Sequence, residues 1–453
     1  MTRALLSSVL IAFLCLAALV GNPSPGQAAP KSKMQRLRVD YRRFLDKART
    51  PRETISYTLE HSKWRVIDPS AGKVETLKAG ERVVFVNQGR TALYVVVGKD
   101  SLEKVGANII ASHIDTPSPR LFLGNLTKGS QNVLVAGAHG GIKGAHWLRR
   151  PLVISGQVIK ADGTALDIQL GEKDDFAFFI EKRGNGNYQV RVGSVSATDN
   201  SDSWPSFVGI LNTRYGINAD DLRSSELYLV PKAGSRAVGV ERMMVGAHGQ
   251  DDRVNSYLAW RSVSEIKGTP RRTAIAWLVD REETGSRGRS GARSRFLELV
   301  YSYLLRSQGG AVTEARLHRA FAASQALSAD TPACVNPNWP EVHESKHGPL
   351  LGRGPAIFPG TGRRGKVGGS QANAELIAKV LRIFSTAKVP VQTAELGRVD
   401  EGGGGTIAKD LAHRGIDTVD LGVCVIAMHS PFEISSVKDL SWTLRGFGAW
   451  LKN

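Results

Sequence analysis

Several short stretches, far apart in the chain, carry side chains that could do hydrolytic chemistry. Asp280-Arg281-Glu282-Glu283 follows the unbroken apolar run Ala274 to Val279 and precedes Thr284-Gly285-Ser286. An apolar run of that length, bounded by charge and then glycine, predicts a buried strand of a parallel sheet. His113-Ile114-Asp115-Thr116-Pro117 ends a second such run, Ala107 to Ser112. Residues two apart in extended chain face the same side, so His113 and Asp115 point together. They read either as a metal ligand with its orienting carboxylate or as a structural pair at a strand end. Asp251 opens Asp251-Asp252-Arg253-Val254-Asn255, Asp330 follows the apolar stretch at Leu327, and His429 closes the run from Asp420 to Met428.

In open α/β sheets the chemistry collects in the crevice beyond the carboxyl ends of the strands. Two histidines and several carboxylates suit a pair of divalent ions such as zinc, manganese or cobalt. Two ions roughly 3.5–4 Å apart clamp a bridging water and polarise a carbonyl, the logic of metal-assisted hydrolysis. That chemistry needs one carboxylate shared by both ions and another left free as general base. The set holds enough carboxylates for both roles. Acids at strand ends are also common as solvated termini, so the residues alone leave both readings open.

The elements that would position these side chains follow from periodicity. Leu37, Tyr41, Phe44 and Ala48 recur at helical spacing after a basic linker at Lys31 to Arg36, and Thr50-Pro51 signals a second helix start. Val83 to Val86 and Ala92 to Val97 flank Asn87-Gln88-Gly89-Arg90 and predict a hairpin. From Ser118 to about Val245, short β-type stretches alternate with glycine-rich turns. They predict an inserted β-rich domain, with a helix somewhere in Trp204 to Leu222. Helices are expected at Gly291 to Leu305 and Ala372 to Ser385, a long loop at Asn336 to Gly354, and a last strand at Asp420 to Met428. The expected organisation is a signal peptide at 1–29, a catalytic α/β domain at 30–117 and 246–453, and the insertion at 118–245.

Composition narrows the class. The chain has 453 residues, 42% hydrophobic and 23% charged, the profile of a globular protein with a sizeable core. Arg3, the apolar run Leu5 to Val20 and Gly26-Gln27-Ala28-Ala29 predict a cleaved signal peptide, hence export to periplasm or medium. The run is shorter than a comfortable membrane span, so no stable span is expected after cleavage. The net charge of +18 is dispersed and no nucleic-acid motif accompanies it, which favours a solvated basic surface. Cys15 lies in the signal; Cys334 and Cys424 could form one bridge, and are expected to be small buried residues.

The ordered residues also resemble the aspartyl aminopeptidase and aminopeptidase I family of cocatalytic metallopeptidases. The likeness runs from Ala111-Ser112-His113-Ile114-Asp115-Thr116-Pro117 through Glu282-Glu283-Thr284-Gly285-Ser286 and His347-Gly348-Pro349-Leu350. It continues in Gly354-Pro355-Ala356-Ile357, Gly404-Gly405-Thr406-Ile407 and Ala427-Met428-His429-Ser430. The resemblance implies an α/β/α sandwich with an inserted β-rich dimerisation domain, usually within a dodecamer. It implies two divalent ions, most often zinc, bridged by Asp251, with His113 and Asp330 completing one and Glu283 and His429 the other. Glu282 would be the general base, Asp115 would orient His113, and His343 and His347 would lie in a substrate-proximal loop. The implied activity is release of the N-terminal residue from peptides with a free N-terminus.

The chain departs from the family pattern in three places. Ala333 and Asn336 stand where the family usually has histidines, and the insertion near Phe176 to Ile180 has none. Phe358 stands where aspartate-preferring relatives carry lysine, which leaves two readings open: Arg363 or Arg364 pairs with an acidic substrate residue instead, or the substrate's N-terminal residue is neutral or apolar. The alternatives are a metal- or peptide-binding homologue with impaired turnover and a related metallohydrolase of the same fold.

Overall fold

The computed structural model describes residues 32–453 except 71, 124–132, 185, 193–202, 345 and 399. The signal peptide expected at 1–29 lies outside the described residues. Among the described residues no helix is long and apolar enough to cross a membrane.

A nine-stranded mixed sheet forms the centre. Its strands run, in spatial order, Arg65–Ile67, Arg82–Asn87, Thr91–Val96, Thr273–Val279, Ala107–His113, Gln325–Ser328, Asp417–Gly422, Ala356–Phe358 and Gln392–Thr393. The four from Thr273–Val279 to Asp417–Gly422 are parallel neighbours. Every residue of Thr273–Val279 and of Ala107–His113 is buried, because both faces of the sheet are covered.

Alternation along the strands divides the core in two. Val84, Tyr94, Ala276 and Leu278 face one core, closed by the helices Lys33–Lys47, Gln250–Ser264, Ala374–Thr386 and Val437–Lys452. Phe85, Leu93, Ile275 and Trp277 face the other, closed by Phe296–Ser307 and Glu314–Ala322. The result is the expected α/β/α layering.

The second sheet is antiparallel and seven-stranded, with the order Ala165–Leu170, Leu152–Ile159, Ser225–Pro231, Ser118–Phe122, Val133–His139, Tyr188–Arg191 and Phe179–Arg183. Its own core includes Leu121, Trp147, Ile154 and Leu211, the last on the helix Ser203–Tyr215. A third, small sheet pairs Arg236–Val238 with Met244–Ala247 and Met244–Ala247 with Glu433–Ser436. It joins the chain returning from the seven-stranded sheet to the segment after His429.

Three local expectations are corrected. The basic linker is instead the start of the first helix, because Ser32 and Gln35 form a capping box. The helix expected from Gly291 begins at Phe296, since Gly291 bridges Asp280 at the sheet edge. The last strand stops at Gly422; Val425 then pairs with Ala333, and Ile426 with Ile434.

Candidate metal centre

His113 and Val279 are register partners in adjacent parallel strands, so the chain beyond each leaves the sheet at one edge. Glu282 and Glu283 lie there on the single turn Glu282–Thr284, entered through Arg281 at φ 69°. Asp330 lies two residues beyond the strand Gln325–Ser328. Asp251 opens the helix Gln250–Ser264, and His429 sits in the hairpin closed by Ile426 and Ile434. Residues separated by up to hundreds of positions thus meet at one crevice.

The meeting is close. His113 Nε2 is 3.4 Å from Asp251 Oδ1 and 4.0 Å from Asp330 Oδ1. His429 Nε2 is 3.0 Å from Asp251 Oδ2 and 3.5 Å from Glu283 Oε1. Two triads result, His113–Asp251–Asp330 and Asp251–Glu283–His429, each with its ligand atoms within 4.8 Å of one another. Asp251 belongs to both and presents a different oxygen to each.

Buried acids hold these side chains in place. Asp115 accepts from the Glu282 amide at 3.0 Å through one oxygen, and from the Glu283 amide at 3.2 Å through the other. The Asp115 carbonyl lies 2.8 Å from His113 Nδ1, so a proton on Nδ1 leaves the Nε2 lone pair facing Asp251. Glu433 accepts from the Asp251 amide at 3.1 Å and from the His429 amide at 2.7 Å. Asp252 accepts from the His113 amide at 3.2 Å and from Thr331 Oγ1 at 2.7 Å. Neither Glu433 nor Asp252 carries a spacing signal that reveals its role in the sequence.

The residues fit a divalent ion on a second count. Asp251 Oδ1 is buried and has no hydrogen-bond partner, although buried carboxylate oxygens are normally satisfied. Imidazole nitrogens and carboxylate oxygens are a zinc-type donor set. The aminopeptidase I zinc metalloprotease (M18) family matches residues 181–450. A probable M18 family aminopeptidase 1 of Clostridium acetobutylicum is 36% identical over 438 residues, covering 91% of this chain and 94% of the relative. The chain belongs to the M18 family.

The M18 aminopeptidase crystal structure from Thermotoga maritima superposes with a TM-score of 0.85 at 32% identity, covering 94% of this chain and 98% of that one. The yeast mApe1 dodecamer, 20% identical with a TM-score of 0.75, covers 92% and 96% and shares the fold. The chain is therefore a zinc-metalloprotease-family aminopeptidase, a hydrolase.

In this M18 chain the inserted sheet forms a wall of the centre. His139, at the end of Val133–His139, places Nε2 2.9 Å from Asp115 Oδ2. The next residue, Gly140, has φ 68°, and a Cβ there would fall 2.5 Å from Glu283 Oε2. A Cβ on Gly141 would be 3.4 Å from His429 Nδ1. The glycines let the turn approach both side chains. His139 escaped the reading of the sequence because it lies at the end of an ordinary alternating strand.

Burial and crowding set the charge state. Burial would raise the Asp251 carboxyl, but the adjacent His113 and His429 imidazoles outweigh it and hold it at about 2. Burial raises Glu282, with His113 and Lys409 acting against it, and burial with the neighbouring Asp251 raises Glu283 further. Lys409 Nζ stands 3.9 Å from Glu282 Oε1 and donates to the Thr406 carbonyl at 2.6 Å.

The expected substrate residues are placed differently from one another. His343 is half-buried, and burial together with nearby Lys143 lowers its pKa; the Lys143 amide donates to the His429 carbonyl at 3.2 Å. His347 is exposed, and its carbonyl accepts from the Glu395 amide. Phe358 is 2% exposed and packs with Ala356, Ala394 and Leu396. Cys334 and Cys424, expected to be merely buried, are joined in a disulfide. The segments that follow two neighbouring strands bring them together only in three dimensions.

Proposed function

We propose that this M18 chain is an exported dinuclear metalloaminopeptidase that releases the N-terminal residue of peptides with a free N-terminus. The shared Asp251, buried between two triads with one oxygen unpartnered, carries this reading. His113 and Asp330 complete one ion with Asp251, and Glu283 and His429 complete the other. Zinc is the metal named for the family; manganese and cobalt suit the same donors. Bound there, the ions would polarise the scissile carbonyl and acidify a water.

The protein's own residues do the rest. Glu282 holds no place in either triad, yet its backbone is pinned by Asp115 and its carboxylate lies beside Lys409. It takes the proton from the attacking water and delivers it to the leaving amine. Asp115 fixes His113 and the Glu282–Glu283 turn at once, so the base and a ligand from each triad share one support. The Gly140-Gly141 turn approaches Glu283 and His429 closely.

The seven-stranded sheet is read as the dimerisation unit of a larger oligomer. Phe122 and Val135, register partners on adjacent strands, are 56% and 40% exposed, an apolar pair that a second subunit would cover. Export rests on the apolar segment Leu5 to Val20 and agrees with the disulfide, a bond that persists in oxidising compartments.

Zinc-reconstituted protein lacking residues 1–29 should bind two ions and cleave a panel of aminoacyl chromogenic substrates. No cleavage in the panel, or preference for N-acylated substrates, would overturn the aminopeptidase reading. Recovery of the chain inside the cell with residues 1–29 attached would overturn export.

A further inference from the structure

The Cys334–Cys424 disulfide closes a separation of 90 residues, with the Cα atoms 5.1 Å apart. Both cysteines are buried. Cys334 follows Asp330 by four positions and Cys424 precedes His429 by five. The bond thus sits between a ligand of one ion and a ligand of the other.

The sheet does not reach these ligands. The strand Gln325–Ser328 ends before Asp330, and Asp417–Gly422 ends before His429. Beyond the strand ends the two segments stay together through the Cys334 amide on the Val425 carbonyl at 2.8 Å. The Val425 amide on the Pro332 carbonyl at 2.9 Å completes the pair. The disulfide is the covalent member of this join. Past it, Ala427 and His429 adopt φ of 61° and 65°, a backbone that non-glycine residues keep only where the surroundings impose it.

We propose that this disulfide is a positioning element of the metal centre, setting the spacing between the Asp330 arm and the His429 arm around Asp251. The inference rests on the ligand assignment proposed above. Without the bond the two arms shift relative to Asp251, and both ions are held more weakly together. Loss of a bond that only stabilised the fold would lower the unfolding midpoint and leave the ion affinity of the folded protein unchanged.

The test is competition for zinc with a chromophoric chelator, on wild-type protein, Cys334→Ala/Cys424→Ala and Cys334→Ser/Cys424→Ser. Far-UV circular dichroism checks that each variant is folded under the titration conditions. Both ions should bind at least tenfold more weakly in a folded double variant. Wild-type affinity for both ions, or a loss confined to one, overturns the inference. So does failure of both variants to fold, which would assign the bond to the fold rather than the site. Fewer than two ions on the wild type would instead remove the ligand assignment, and this inference with it.

Discussion

His139 Nε2 lies 2.9 Å from Asp115 Oδ2, and this pair joins the seven-stranded sheet to the strand that carries His113. Both residues are buried. Burial would raise the Asp115 carboxyl, but hydrogen bonds from His113 and His139 outweigh it and hold it below the usual carboxylate range. Asp115 in turn accepts the Glu282 and Glu283 amides. His139→Ala should therefore lower kcat/KM by about ten- to a hundredfold, as loss of a group behind a metal ligand does. His139→Gln, which keeps a donor, should recover part of it. Equal activity in the alanine variant and the wild type would show that Asp115 needs no partner from the inserted sheet.

Glu282→Gln separates base from ligand. The amide keeps the size of the side chain but cannot take a proton. Zinc content should stay at the wild-type level, while kcat falls by about a hundred- to ten-thousandfold. Glu283→Gln should do the reverse in part, losing bound metal, because Glu283 Oε1 faces His429 within one triad. Metal analysis alongside steady-state kinetics distinguishes the two. A Glu282→Gln enzyme with normal turnover would end the assignment.

Patterning marked the residues of the two candidate triads as lying beyond apolar runs or at a helix start, and the ligand roles came from the family resemblance. Glu282 and Glu283 look alike as adjacent acids; the family resemblance singled out Glu283 as the candidate ligand, and Glu283 is the one that lies in a triad. Of the supporting acids, Asp115 was legible beside His113, whereas Glu433 and Asp252 were hidden. Glu433 acts through backbone amides of Asp251 and His429, a relation that exists only once the small third sheet has formed. Whether Cys334 and Cys424 bridge was left open for a similar reason: the two segments come from distant parts of the chain, and spacing carries no register. Phe358 shows the converse. Its place in the family pattern suggested a substrate contact, but the strand Ala356–Phe358 turns the ring into a small core.

His248 makes stability pH-dependent. Burial, reinforced by Arg253, lowers its pKa to about 3, and its ring lies against Trp147 of the inserted domain, with Nε2 3.1 Å from the Pro117 carbonyl. The unfolded chain takes up this proton near pH 6.5, the folded chain only near pH 3. The stability this group contributes is thus complete above pH 6.5 and is lost as pH falls from there toward 3. Between pH 6.5 and 4.5 the loss from His248 alone should be about 2–3 kcal/mol. Urea denaturation of metal-free wild type and His248→Gln at pH 7 and 4.5 measures it. The variant should show the shallower fall; parallel losses would contradict the assignment.

Arg90 and Asp280 give the last prediction. Arg90 Nε donates to Asp280 Oδ2 at 2.7 Å, and its Nη1 pairs with Glu226 on the inserted strand Ser225–Pro231. Asp280 is fully buried, with Ser290 Oγ at 2.7 Å and Arg281 Nε at 3.6 Å beside it, and it directly precedes the Arg281-Glu282-Glu283 turn. Arg90→Met removes the hydrogen-bonded cation and leaves the buried Asp280 carboxylate with Arg281 alone, 3.6 Å away, a loss of up to about 3–5 kcal/mol. Neutralising it as well, in Arg90→Met/Asp280→Asn, should recover at least about 1 kcal/mol, because the penalty lies mainly in the stranded charge. Urea midpoints of the two single variants and the double variant close the cycle. Additive losses would mean that the two residues stabilise the protein independently, and that the inserted sheet is not coupled to the Glu282 turn through this pair.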